Sequence, residues 1–410
     1  MLLTGSSISH NPRALKEASA LARAGYQVRV LGAWLDPTLK TMDQHLIPEL
    51  PFEFIPVLDI TENRLNGKLA RIRRKSGASA HAFAGFENRW QLGYSYTYLK
   101  RAAFGEQADL YIAHSEPAMA VCVDLHRAGR RVGIDMEDWF SEDLLPEARR
   151  TRPLRLLHSL ERILLVEGAF ASCPSRAMSD SLTLAYNCPA PTVIYNAFAW
   201  EERQSLARLR HDRRDRKLPS IHWFSQTLGP GRGLEELFGA LPLISTPVEI
   251  HLRGQLAEGF ERCLLSKIPH EWHHRVFFHG LVPNAELLQC IAEHDIGFAG
   301  EQHYCRNKEL TVSNKILLYL LAGLAVVASD TLGQREVADR AKGAVFAYPA
   351  GDARALAAAL NTLLASPPSL CRAKAAALKA AQSTFCWERQ KHLLIDAIDR
   401  SLDAPLRIAV

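Results

Sequence analysis

The residues with the types and spacing to do chemistry concentrate at two places in the second half of the chain. Asn307 to Asp330, NKELTVSNKILLYLLAGLAVVASD, holds a polar turn, an apolar helical pattern, Gly323 and a short apolar strand. Ser313, Asn314 and Lys315 fall where that helix begins. A helix start carries unpaired N–H groups and a partial positive charge, so it suits an anion, phosphate above all. The same stretch also reads as a capped helix that buries Leu317, Leu320 and Leu321. Upstream, Gly229-Pro230-Gly231-Arg232-Gly233 separates the strand IHWF from the helical LEELFGAL. Gly231 and Gly233 let a backbone approach phosphate closely, and Arg232 adds a two-pronged cation. A plain tight turn with a surface arginine is the alternative. The spacing departs from the dinucleotide fingerprint, and no acidic residue ends a second strand about 20 residues on. If the sheet is parallel, Arg232 and Lys315 come from two β-α turns at one edge, which suits a diphosphate.

In the first half, His114 ends the strand ADLYIA, with Glu116 two residues on, and Glu137 and Asp138 end the next strand, RVGIDM. A histidine there is either structural or catalytic. The carboxylates suit sugar hydroxyls, a general base or a helix cap. Gly5-Ser6-Ser7 forms a loop between a short first strand and an amphipathic helix from Arg13 to Ala24.

The elements that must position these residues alternate from the first residue to the last. Short apolar runs are followed by helical patterns, and such β-α-β units require a parallel sheet. Glu62 to Gly85 is basic and rich in Gly, Ala and Ser without a firm period, and reads as a mobile loop; Phe86 to Arg101 reads as a helix. The chain is therefore α/β, with two Rossmann-like doubly wound domains in series. The first spans 1–197, a charged linker 198–218 and the second 219–385, with a C-terminal helix over 386–410 packing back toward the first domain. Ligands bind outside the carboxyl ends of such strands, and the natural site is a cleft faced by the two domains.

Composition narrows the function classes. The chain has 410 residues, 48% of them hydrophobic, and 49 basic against 44 acidic side chains. A net charge of +5 is too mild for a dedicated nucleic-acid binder. Basic residues do cluster at Arg71–Lys75, at Arg149–Arg155 and between Arg208 and Lys217. Each run is either a solvated face or an attraction to anionic lipid or a diphosphate-bearing acceptor. The eight cysteines form no C-x-x-C pair and read as reduced, buried thiols. No apolar run approaches a membrane span, and the N-terminus lacks a signal-peptide layout. The expected place is the cytoplasm, with peripheral contact at the cytoplasmic face of a membrane.

Taken together, SQTLGPGRGLEEL, VIYNAF, GLVPNAELLQCIAEHDIGFA and SNKILLYLLAGLAVVASD resemble the nucleotide-sugar glycosyltransferases of the GT-B fold, and within them the retaining family 4. In the first half, ISHNPRALKEASALARAGYQVRVL resembles that group's opening helix and second strand, and AHSEP its His-x-Glu-Pro segment. The resemblance implies a donor diphosphate held by Arg232, Asn314 and Lys315, with Ser313, Gly231 and Gly233 around it. It implies His114 as a hydrogen-bond partner of the transferred sugar and Glu309 beside the donor sugar or ribose, the two catalytic candidates. Gly5, Ser6, Ser7, Arg13, Glu116 and Asp138 become sugar or acceptor contacts, and Asn196 marks the domain crossover. It further implies a nucleotide-diphospho-sugar as co-substrate, no other cofactor, no metal, and a glycan or lipid-linked acceptor of the cell-envelope polysaccharide kind. One departure stands out. The family's paired glutamates would fall on Leu310 and Leu318, whereas Glu301 and Glu309 have the spacing but not the register. Sugar-nucleotide epimerases share this architecture and are the rival enzyme class; a non-catalytic partner that keeps the fold is the other rival.

Overall fold

The computed structural model describes residues 1–206, 218–229, 231–257 and 259–405. Pro230 and the basic run expected between Arg208 and Lys217 lie outside the described residues. The chain divides into two compact units, Met1–Ile194 with Lys391–Val410, and Tyr195–Gln390.

The first unit is built on seven parallel strands: β1 (Leu2–Leu3), β2 (Arg29–Trp34), β3 (Glu53–Asp59), β4 (Tyr111–Ala113), β5 (Val132–Asp135), β6 (Phe170–Cys173) and β7 (Thr192–Val193). Their order is β3-β2-β1-β4-β5-β6-β7. Strand order therefore reverses between β1 and β4, and the loops leaving those two strands open at a topological switch point. Short buried strands such as Leu2–Leu3 and Tyr111–Ala113 carry no alternation because helices cover both faces of a parallel sheet.

The second unit repeats the plan with six parallel strands: β8 (Ser220–Leu228), β9 (Glu249–Leu256), β10 (Val276–His279), β11 (Ile296–Ala299), β12 (Ala325–Ser329) and β13 (Val345–Tyr348). The order β10-β9-β8-β11-β12-β13 puts its switch point between β8 and β11. The helix Asn314–Ala322 is buried all round from Ile316 to Ala322, as an apolar helix must be. It is seated by Tyr319, whose hydroxyl donates to the His222 carbonyl at 3.0 Å. Gly297 makes room for that ring; a Cβ there would lie 2.2 Å from the Tyr319 ring.

Three expectations are corrected. Glu62 to Gly85 is not a loop: Leu65–Ala84 is a helix ended by Gly85 in the left-handed region, φ 64°. Its buried seam is Gly67, Ala70 and Gly77, so small residues carry the contact and no large apolar period marks it. Phe86 to Arg101 is broken into a 3-10 turn, Arg89–Leu92, and a helix, Tyr96–Gly105. Asn88 and Gln91 cap that turn reciprocally. Cysteines are not uniformly buried: Cys122, Cys173, Cys188, Cys290 and Cys386 are buried free thiols, Cys305 is half-buried and Cys371 exposed. Among the described residues, no helix is long and apolar enough to cross a membrane.

Candidate functional site

In the second unit the two phosphate-directed turns sit on neighbouring strands. The glycine turn follows β8, and Gly300-Glu301 follows β11. Gly233 caps the helix Leu234–Ala240 with φ 77°. A Cβ there would lie 2.2 Å from the Gly300 carbonyl oxygen, so both the left-handed backbone and the close approach demand glycine. Gly231 is also left-handed, at φ 70°. Arg232 is exposed and donates to the Ser225 hydroxyl at 3.2 Å.

The Gly300 turn connects this loop to the helix start expected to bind phosphate. Ser313 is the N-cap of Asn314–Ala322 and accepts from the Lys315 N–H at 3.4 Å. Its hydroxyl donates to Glu301 Oε1 at 2.9 Å, and Lys315 Nζ reaches the same oxygen at 2.8 Å. Lys315 also lies 5.7 Å from the centre of the Trp223 ring, a cation–π distance. Burial pushes the Glu301 carboxyl up, but the Lys315 charge and the hydrogen bonds from Lys315 and Ser313 outweigh it and hold the group down at about 2. Glu301 thus faces Lys315 as a full negative charge at this sheet edge, beside Arg232 and the helix start. Asn314 Oδ1 accepts from Asn196 Nδ2 at 3.0 Å.

Glu309 has a different employment from the others. Its side chain pairs with His303, and its Oε1 accepts the Leu332 N–H at 3.1 Å, where the helix Leu332–Arg340 begins. Its structural duty in this unit is to satisfy that helix end.

In the first unit the loops at the switch point close on each other. A Cβ on Gly5 would lie 2.7 Å from Pro117 Cγ and 2.9 Å from Ser115 Oγ, so the β1 loop needs glycine to lie against the β4 loop. The Gly5 carbonyl accepts from Ser95 Oγ, and the Ser6 carbonyl from Thr4 Oγ1 and the Ala33 N–H. Ser7 is buried, and the next two N–H groups, of Ile8 and Ser9, are held by Asp43 at 3.2 and 2.9 Å.

Behind these loops lies a buried ionic cluster. Arg13 donates twice to Asp135, at 2.5 and 2.8 Å, and once to the Ile194 carbonyl at 2.8 Å. His114 Nδ1 is 3.0 Å from Glu137 Oε1, which also accepts from Asn11 Nδ2 at 2.7 Å. His114 Nε2 lies 3.6 Å from Glu17 Oε2. Burial opposes a charge on His114, but its hydrogen bond to Glu137 and the fields of Glu17 and Asp135 raise it to about 9. Burial, with Asp135 adding to it, raises Glu17 to about 8. Near neutral pH the cluster then holds Arg13 and His114 as cations beside the Asp135 carboxylate, with Glu17 pushed toward its protonated form. That balance is what lets five ionisable groups share a low-dielectric core. Glu17, His114 and Asp135 bring ligand-type atoms within 4.8 Å of one another, but Arg13 already occupies both Asp135 oxygens, and its charge repels a metal ion.

The structure thus gathers Arg13 and His114 into one buried cluster and leaves Glu116 and Asp138 outside it. Glu116 pairs with Arg152, and Asp138 is half-buried. Glu17, Asp135 and Glu301 were not singled out as site residues by the sequence. The available signals were a Glu four residues after Arg13 on the helix face shared with Ala14 and Ala18, and an Asp inside an apolar strand. Glu301 was noticed only for its spacing from Glu309; its contact with Lys315 had no sequence signal.

Residues 220–366 match the family model described as glycosyl transferases group 1. Over that stretch the chain is similar to the group 1 glycosyltransferases. Its two Rossmann-like units are those of the GT-B fold, and solved structures of that form match it along nearly its whole length. Anabaena Alr3699/HepE in complex with UDP is 20% identical, with TM-score 0.68, covering 97% of this chain and 98% of that one. Sucrose-phosphate synthase from Thermosynechococcus elongatus is 16% identical, with TM-score 0.64 and 98% coverage of each chain. A UDP-forming trehalose-phosphate synthase from Burkholderia xenovorans is 12% identical, with TM-score 0.66, covering 98% of this chain and 99% of that one. At such identities the likeness is one of fold. No curated protein matches the chain by sequence. The matched stretch contains the glycine turn, Glu301, Glu309 and Ser313–Lys315, while the His114 cluster lies outside it.

Proposed function

We propose that this glycosyltransferase moves a sugar from a nucleotide-diphospho-sugar to a glycan or lipid-linked acceptor of the cell-envelope polysaccharide kind, with retention of configuration. The observation that carries the reading is the meeting of Gly231–Gly233, Arg232 and the Ser313-capped helix start at the second sheet's switch point, inside the family-matched stretch. Solved neighbours of this fold were crystallised with UDP and with UDP-glucose, which supports a uridine diphosphate donor. Breaking the bond between sugar and diphosphate builds positive charge on the sugar and negative charge on the leaving group. Arg232, Lys315 and the helix N–H groups are placed to stabilise the leaving diphosphate, the larger electrostatic share of such a reaction. His114, by this reading, is the candidate hydrogen-bond partner of the transferred sugar, with its charge held by Glu137. Glu309 acts on the donor sugar only through the loop it anchors.

Thermal-shift titration with a panel of nucleotide diphospho-sugars, followed by UDP release with candidate acceptors, tests the reading. Stabilisation by UDP-sugars and acceptor-dependent UDP release are expected. Epimerised sugar nucleotide formed without acceptor would overturn it in favour of an isomerase. Binding without any turnover across acceptors would make the chain a non-catalytic partner.

A further inference from the structure

The Leu65–Ala84 helix carries a feature that donor chemistry does not use. Its inward seam is Gly67, Ala70 and Gly77. On the opposite side Leu65, Ile72 and Phe83 are 72%, 63% and 92% exposed. Residue 72 is about two turns beyond 65, and 83 about five turns beyond it, so the three fall on one line about 27 Å long. Lys68 and Lys75 run along one side of that line, with Ser76 on it between Ile72 and Phe83, and among the described residues neither lysine has an ion-pair partner. The helix contains no Asp or Glu. Past its end, Phe86 and Trp90 are also exposed.

Large apolar side chains held in water on a soluble domain mark an interaction surface. Apolar side chains along one helix face with cations beside them, and the polar backbone satisfied within the helix, is the layout of a helix that lies in a lipid interface. The other basic run does not share it. Arg149 pairs with Glu142 at 3.0 Å, Arg155 with Glu87 at 3.3 Å, and Arg152 with Glu116. Arg149, Arg152 and Arg155 thus have carboxylate partners within the unit, whereas Lys68 and Lys75 have none among the described residues; Arg150 of the same run is exposed.

We infer that the outward face of Leu65–Ala84 docks the enzyme on an anionic phospholipid surface, with Leu65, Ile72 and Phe83 entering the headgroup boundary and Lys68 and Lys75 meeting lipid phosphates. The inference adds a membrane surface to the proposed transfer to a lipid-linked acceptor, and it does not depend on the donor or on turnover.

Co-sedimentation of the full chain with vesicles of mixed phosphatidylglycerol and phosphatidylcholine, beside phosphatidylcholine alone, tests it. The parent is expected to partition onto the anionic vesicles, and less so as salt rises. Ile72→Asp/Phe83→Asp is expected to lose about tenfold or more of that partitioning. Lys68→Glu/Lys75→Glu is expected to erase the preference for anionic over neutral vesicles. All four side chains face solvent, so UDP-induced thermal stabilisation stays at the parent value and reports that both variants are folded. Equal partitioning by parent and Ile72→Asp/Phe83→Asp overturns the inference. So does a parent that ignores vesicles but self-associates in sedimentation velocity, with the association abolished by Ile72→Asp/Phe83→Asp, because the face is then a contact between copies. Loss of UDP binding in the parent would count against the proposed donor and leave the vesicle result standing.

Discussion

Replacing Lys315 by Ala separates the structural duty of this side chain from the donor role proposed for it. As a structural cation it stands 2.8 Å from Glu301. Holding the Glu301 carboxyl at about 2, against its ordinary 4.5, corresponds to about 3 kcal/mol of stability. Ser313 donates to the same oxygen and shares this, which leaves about 2 kcal/mol to Lys315 at neutral pH. The sign follows from a folded-state value lying below the unfolded one. The contribution is complete above about pH 4.5 and is lost as pH falls toward 2, where Glu301 protonates in both states. Urea denaturation of Lys315→Ala should therefore show a deficit at pH 7 that shrinks as pH falls through this window. As a donor ligand, Lys315 supplies a charge-assisted hydrogen bond to phosphate, worth about 1.5–3 kcal/mol, so UDP should bind roughly 10–150-fold more weakly by calorimetry. Glu301→Gln is the discriminating partner: it removes the ion pair but leaves the lysine free for phosphate, so stability drops while UDP affinity holds or rises. If Lys315→Ala loses stability but binds UDP as the parent does, the diphosphate role is refuted. If Glu301→Gln weakens UDP as much as Lys315→Ala, the pair acts by shaping the site rather than by the lysine's charge.

Two further outcomes follow from single buried residues. His222 is buried beside His294, and burial followed by the field of His294 holds its imidazole well below the usual 6.5. The unfolded chain then binds the extra proton, so thermal denaturation should show stability falling as pH drops below about 6.5, by up to about 1.4 kcal/mol per pH unit. His222→Phe, which fills the same space without a titrating ring, should reduce that slope; an unchanged slope would assign it to other groups. Gly233→Ala must hold a left-handed backbone at φ 77° with a Cβ 2.2 Å from the Gly300 oxygen. A loss of roughly 1–3 kcal/mol from the backbone alone is expected in urea denaturation, together with weaker UDP binding. An Ala variant as stable as the parent would mean the loop relaxes freely and is not held against Gly300.

Much of the architecture was legible because it is written in local patterns. The alternation of apolar runs with helical periods announced two doubly wound sheets, and the strands RVGIDM and ADLYIA appear as Val132–Asp135 and Tyr111–Ala113. The helix start at Ser313 and its stop at Gly323 followed from capping chemistry within a few residues. The Leu65–Ala84 helix was missed because Gly67, Ala70 and Gly77 bury the seam without large side chains, so the period that marks most helices is absent.

By itself, then, the sequence determined which residue types stand at strand ends and helix starts, and hence where an anion site is to be expected, at the edge of the second sheet. Only the tertiary structure decided which charges remain available there. Arg13 meets Asp135 across 122 residues, and Lys315 meets Glu301 across 14 and a full turn of the fold. A charge in the sequence is only a potential. Its worth depends on the dielectric around it and the partner beside it, and both are set by chain segments that come together when the sheet closes.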